Sequence, residues 1–281
     1  EQPTQIAERF AMVPDCPICV PLGAHLSCGV VGKRARCVAL GKNLIVQAAA
    51  HHSYCDLRIV VLCEQEETAQ WEFCRWLPHC WDEGHTARLI ANTPETIRAL
   101  LERLEPVFSA RAAAGQNAGL GAAPRAKPWY LFVCAAPETV TQHAFMKFLT
   151  ANRRELGISV LYLFDRIDLL PEECHDILDC REAVGVLFER RHASRKQPFQ
   201  PEQVPQARYE QFARSMAPLR MEAKGAPALP RSVSFLQGYH VSRPSELALD
   251  KNWANAEPER SMAVPIGVRG DGTPFLFDIH E

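Results

Sequence analysis

The run Ser27-Cys28-Gly29-Val30-Val31-Gly32-Lys33-Arg34 joins a β-branched segment to a helix-forming one, the position a phosphate-binding loop takes in nucleotide-binding folds. That chemistry needs a glycine-rich turn whose amides face the phosphates, a lysine to neutralise them, and a Ser or Thr hydroxyl on the metal. Setting Gly32 and Lys33 on the motif leaves Ser27 at the first glycine and Arg34 at the metal-binding hydroxyl position. Val30 and Val31 fall inside the loop, and β-branched residues resist the backbone angles of an anion nest. Gly29, Gly32, Lys33 and Arg34 therefore read as a degenerate nucleotide-binding turn.

A working site of this kind also places an Asp, often followed by Glu, at the end of a later apolar strand to hold magnesium and orient water. The matching run here, Trp129 to Ala136, carries no carboxylate until Glu138. Asp165 and Asp168 follow the next apolar run and supply a displaced acid in the runner-up reading, a weak or conditional ATPase using Lys33 and Arg34. The leading reading combines both deficits: an ATPase-shaped domain that is not catalytic.

Two further constellations carry chemical side chains. Cys16 and Cys19 form a single Cys-x-x-Cys with no second pair behind it, a weak candidate for a metal or redox module; His25 and Cys28 are the nearest additional ligands. His51-His52-Ser53 and Leu77-Pro78-His79-Cys80-Trp81-Asp82, with Asp56, present the residue types of a nucleophilic triad. A serine at the end of a helix lacks the strained elbow and oxyanion hole such a triad needs, so packing and loop closure are the expected roles. The mixed charges from Arg181 to Lys196 read as a solvated face.

The elements that must position these residues alternate in type. Apolar runs occur at Leu26 to Val31, Leu57 to Cys63, Arg88 to Ala91, Trp129 to Ala135, Ile158 to Phe164 and Val184 to Phe188. Several are apolar on both faces, as central strands covered by helices on each side must be. Between them, helices are expected over Arg36 to Ala50, from Thr93-Pro94-Glu95 through Phe108, and from Glu138 to Glu155. This order implies a RecA/P-loop-like, doubly wound, mostly parallel α/β sheet. The Ala-, Gly- and Pro-rich segment Ala112 to Lys127 reads as a surface loop. Six prolines between positions 193 and 232 mark a connector, inside which Tyr209, Phe212, Met216 and Leu219 space out one docked helix. Two apolar runs around Gly270-Asp271-Gly272 predict a C-terminal β-hairpin.

Composition narrows the function classes. A net charge of -2 over 281 residues argues against a phosphate-neutralising surface, so no nucleic-acid partner is expected. No run reaches the roughly 18 uninterrupted apolar residues of a membrane helix. Most of the 11 cysteines lie within apolar runs and read as buried, unpaired thiols. The chain lacks an initiator Met and stops at Glu281, so both ends are expected to lie within a longer polypeptide.

Several phrases in order, His52 to Leu62, Trp71-Glu72-Phe73, Trp76 to Asp82, Glu155 to Val160, Leu170 to Cys174, and Arg260 to Val268 through Asp278 to Glu281, resemble the cytosolic region of EssC/EccC-type ATPases. These are the membrane-anchored, FtsK/SpoIIIE-like motor proteins of type VII secretion. The resemblance spans nearly the whole chain. It implies a lead-in over 1–25, a degenerate ATPase-like domain over 26–192, a Pro-rich linker over 193–232, and the entry segment of the next ATPase module over 233–281. It further implies the cytoplasmic side of a cell-membrane protein, with no cofactor in this fragment and with ATP and magnesium in the parent's downstream modules. The implied partners are other modules of the same motor, membrane components of the secretion system, and WXG-type protein substrates engaged by the parent. His52, Ser53, Asp56, Trp76, Pro78 and His79 carry the match as structural residues. The many cysteines depart from it.

Overall fold

A computed structural model describes residues 16–117, 126–220, 232–239, 241–268 and 273–278. The chain divides into two units, Glu1–Leu219 and Arg220–Glu281. The first is built on strands β1 (Ser27–Gly32), β2 (Leu57–Leu62), β3 (Ile90–Ala91), β4 (Trp129–Cys134), β5 (Ile158–Leu163), β6 (Asp176–Cys180), β7 (Gly185–Glu189) and β8 (Gln197–Phe199). They form one sheet in the order β3-β2-β4-β5-β1-β6-β7-β8. The six strands from β3 to β6 run parallel, and β7 and β8 are added antiparallel.

Period-two alternation sends successive residues of each central strand into different cores. Ile59, Val61, Leu131, Val133, Leu161 and Leu163 face one side, beneath helix α1 (Arg34–His51) and the aromatic turns carrying Trp71 and Phe73. Val60, Leu62, Phe132, Val160 and Tyr162 face the other, beneath helix α2 (Pro94–Asn117), whose Ile97, Leu100, Leu101, Leu104 and Phe108 make a buried stripe. Both faces are covered, which is why these strands read as continuous apolar runs. Phe108 anchors the second core: its ring lies 5.1 to 5.8 Å from those of Tyr130, Phe132 and Phe145.

Three expectations change. The stretch from Glu138 to Glu155 is not one helix; it holds short turns at Pro137–Thr141, Met146–Leu149 and Arg154–Leu156. Local hydrogen bonds interrupt it: His143 Nδ1 accepts from the Phe145 amide at 3.1 Å, and Asn152 adopts a left-handed φ of 48°. Helix α2 continues through Asn117, six residues into the expected loop, because Ala112 to Ala114 favour helix; residues 118–125 lie outside those described. Strand β6 lies inside the sheet between β1 and β7, and the sequence reading passes over it because Asp176 and Asp179 interrupt its apolar pattern.

Within the 193–232 stretch, helix α3 (Gln206–Met216) seats Tyr209 and Ala213 in the first core, and the Tyr209 hydroxyl donates to Asn43 Oδ1 at 2.6 Å. The second unit holds a helical turn at Phe235–Gly238, capped by Ser234 and Gln237, and the antiparallel pair β9 (Val264–Val268) and β10 (Pro274–Phe277). The turn between β9 and β10 falls at residues 269–272, outside the described residues.

Candidate functional site

In a doubly wound sheet, ligands bind beyond the carboxyl ends of strands whose outgoing connections diverge to opposite faces. Here that place is the junction of β1 and β5. Helix α1, leaving β1, packs on the first face, whereas Leu170 and Cys174, in the connection leaving β5, pack on the second.

No phosphate loop opens there. Strand β1 runs straight through Gly29, Val30 and Val31 to Gly32, buried throughout, and a single residue, Lys33, separates it from α1. Gly29 is a packing position, since a Cβ there would lie 2.4 Å from Leu170 Cδ1. Gly32 makes the exit from the strand: its φ is 138°, and a Cβ would meet the Cys180 carbonyl carbon at 2.6 Å. Lys33 caps the helix with an extended backbone and an exposed side chain, and its carbonyl accepts from the Arg36 amide at 2.8 Å.

Arg34 fills the crevice. Its guanidinium makes a bidentate ion pair with Glu67: Nη2 reaches Oε2 at 2.6 Å, and Nε donates to Oε1. Nη1 also donates to the Leu163 carbonyl at the end of β5, and Nη2 to the Ala135 carbonyl just beyond β4, each at 2.5 Å. Asp165 is a looser neighbour, 3.9 Å from Nη1, while its own carbonyl accepts from the Gly32 amide. Burial works against the charge of Arg34, but Glu67, with Asp165 and Glu64 behind it, more than offsets this, so the proton is held more tightly than usual. Partial burial pushes the Glu64 carboxyl up; Arg34 opposes the shift, and Glu67, Glu66 and Glu138 add to it. A fork-shaped cation bonded to one carboxylate and two carbonyls ties the carboxyl ends of β4 and β5 to the connection that follows β2.

The remaining candidate residues separate. Asp168 is not brought to the crevice; it pairs with Arg166 at 2.5 Å on the surface, which holds its carboxyl below the usual range. The end of β4 offers only buried Ala135 and Ala136, and Glu138 beyond them is exposed. Ser53 Oγ accepts from the Cys55 amide, and Asp56 pairs with Lys127 at 2.7 Å. His79 is fully buried and its Nε2 donates to the His52 carbonyl at 2.7 Å, closing the α1–β2 loop. Pro78 is buried beside it, and Trp76 is covered by the Arg214 guanidinium of α3, 4.3 Å from its ring centroid. Cys16 and Cys19 are exposed and unpaired. Sequence reasoning missed Glu67; the signal was the acidic run Glu64 to Glu67 at the end of a central strand, opposite an arginine at a position meant for a hydroxyl.

The fold defines a doubly wound, mostly parallel α/β module with an arginine in its switch-point crevice. The chain matches no protein-family profile. Its curated homologues are type VII secretion proteins: it is 27% identical over 282 residues to the ESX secretion system protein EccC of Geobacillus thermodenitrificans, and 25% identical over 279 residues to the type VII secretion system protein EssC of Staphylococcus aureus. Each alignment takes in 99% or more of this chain, and the chain spans 19% of the length of either relative. Among solved structures, EssC (ATPases 2 and 3) from Geobacillus thermodenitrificans superposes with a TM-score of 0.51 at 10% identity, over 92% of this chain and 54% of that one, a likeness of fold. No helix among the described residues is long and apolar enough to cross a membrane.

Proposed function

We propose that this chain is a non-catalytic, ATPase-like cytoplasmic module of a membrane-anchored type VII secretion motor, coupling the membrane channel to ATPase modules elsewhere in the same polypeptide. The full-length likeness to EccC and EssC supports the setting. The observation that carries the inactive reading is Arg34: its guanidinium stands where phosphate and metal would bind, and only Lys33 separates strand from helix. A module built this way transmits force through a rigid sheet, with no turnover of its own. Its partners are the neighbouring modules and the membrane components of the system, and secreted WXG-type substrates reach it through the parent protein. Titration of the chain with magnesium-ATP by calorimetry tests the reading. No heat of binding is expected at micromolar to millimolar nucleotide, for this chain and for Lys33→Ala alike. Micromolar binding that Lys33→Ala abolishes would overturn it in favour of a conditional ATPase.

A further inference from the structure

At the opposite, amino-terminal edge of the same strands, the parallel register of β1 and β6 sets Cys28 beside Asp176. The helical turn Leu22–His25 delivers His25 to the same place, three residues before Cys28. Asp176 is almost fully buried, at 3% exposure. Its Oδ2 lies 2.8 Å from His25 Nδ1, and its Oδ1 lies 3.0 Å from His175 Nδ1. The two imidazoles stack against each other with centroids 4.0 Å apart and planes inclined by 30°. Both histidines line a cavity of about 740 Å³ that also takes in Glu172, Glu173, Glu189, Arg154 and Arg191. Among the described residues this is the one group of three metal-ligating side chains whose donor atoms converge.

We propose that His25, His175 and Asp176 form a binding site for a first-row divalent transition metal, zinc above all, with its open coordination positions facing this cavity. The donor set is two imidazole nitrogens and one carboxylate, which suits Zn²⁺, Co²⁺ or Fe²⁺ and not the all-oxygen preference of Mg²⁺ or Ca²⁺. Two ligand atoms about 2.1 Å from a tetrahedral metal are about 3.4 Å apart, so the Nδ1-to-carboxylate contacts of 2.8 and 3.0 Å need open by only about 0.5 Å to admit the ion. Metal takes the place of these hydrogen bonds at the two Nδ1 atoms and the carboxylate, and the stacked rings tilt apart to bring both Nδ1 atoms onto it. The carboxylate is anchored on a central strand and both rings are positioned by it, so the site is organised before the metal arrives. This assignment is independent of whether the distant crevice at Arg34 binds nucleotide.

The exposed pair Cys16 and Cys19 is a competing zinc ligand, so the test uses the chain carrying Cys16→Ser and Cys19→Ser, stripped with chelator. Zinc titrated by calorimetry is expected to bind at one ion per chain and to raise the melting temperature. Cobalt in its place is expected to give visible d–d bands. His175→Gln, at a side chain 37% exposed and tolerant of change, is expected to weaken zinc by more than about 100-fold, beyond the usual effect of an outer-shell partner, and to abolish both the cobalt bands and the thermal shift. His25→Gln is expected to do the same, and it serves in place of Asp176→Asn, which disturbs a buried strand. No zinc binding in the Cys-free chain overturns the proposal, as does binding that survives both histidine substitutions.

Discussion

Replacing Arg34 with methionine keeps an unbranched apolar stem and removes the guanidinium with its charge, and the cost can be worked from its contacts. Arg34 is about a quarter exposed and Glu67 about a sixth, so the pair sits between surface and interior. Surface pairs contribute about 0–1 kcal/mol, and breaking a fully buried one costs about 3–5. The bidentate geometry places this pair above the surface range, and the substitution also leaves the Ala135 and Leu163 carbonyls without their charged donor, at a net cost of about 0.5–1.5 kcal/mol for each lost bond, less whatever water restores. The expected loss is about 2–4 kcal/mol, which is about 5–12 °C in melting temperature for a domain of this size. Glu67→Gln alone removes the ion pair and leaves the two carbonyl bonds, so it should cost less, about 1–2 kcal/mol. A double-mutant cycle by urea denaturation should return a coupling of about 1.5–2 kcal/mol between the two positions. A coupling below about 0.5 kcal/mol, with a small loss for Arg34→Met, would mean that water already fills the crevice. The reasoning that makes Arg34 a structural tie in place of a nucleotide would then fail.

Two predictions concern the cores. Phe108→Ala, which empties the centre of an aromatic cluster against Tyr130, Phe132 and Phe145, is expected to cost about 3–5 kcal/mol by denaturant unfolding, against less than about 1.5 kcal/mol for the milder Phe108→Leu; equal effects would refute the packing argument. His79 is held neutral, its pKa lowered from 6.5 chiefly by burial, with Arg58 and His52 adding to that and the hydrogen bond to the His52 carbonyl opposing it. Above pH 6.5 neither state of His79 is protonated and it adds no slope. As pH falls below 6.5 the unfolded chain takes up a proton that the folded chain refuses, so stability falls, by at most about 1.4 kcal/mol per pH unit, until the lower folded value is reached. Urea midpoints from pH 7.5 to 5 should show this slope, and His79→Gln should flatten it; an unchanged slope would place the titration elsewhere.

What the sequence made legible follows from where the information is local. Five of the six parallel strands declared themselves as apolar runs, several of them apolar on both faces, and α1 and the first part of α2 declared themselves through spacing and, at Pro94, a helix-start signal. The short strand β6 did not, because Asp176 and Asp179 make its pattern polar, and their reasons for being there are partners 151 and 2 residues away, His25 and Arg181. The broken stretch after Pro137 was misread because an apolar period of three to four survives even where side chains divert the backbone hydrogen bonds that a helix needs.

The same distinction governs the crevice. That Arg34 occupies a hydroxyl position is legible in one line of sequence, and it reads there as a loss. What the arginine does there is not legible, because Glu67 and Ala135 lie in two other connections and Leu163 at the end of β5, and they meet only when β2, β4 and β5 align their carboxyl ends. In an active fold of this type those strand ends are held together by binding a charged ligand that comes and goes. Here a side chain fixed at the first residue of α1 takes over the task permanently. A module whose strand ends are tied to its own helix by an ion pair and hydrogen bonds has little reason to open and close with nucleotide, as the proposed non-catalytic role requires. Arg34→Thr alone should therefore leave nucleotide unbound: it would restore the hydroxyl, but the strand would still run to Gly32 with no loop of amides to receive a phosphate.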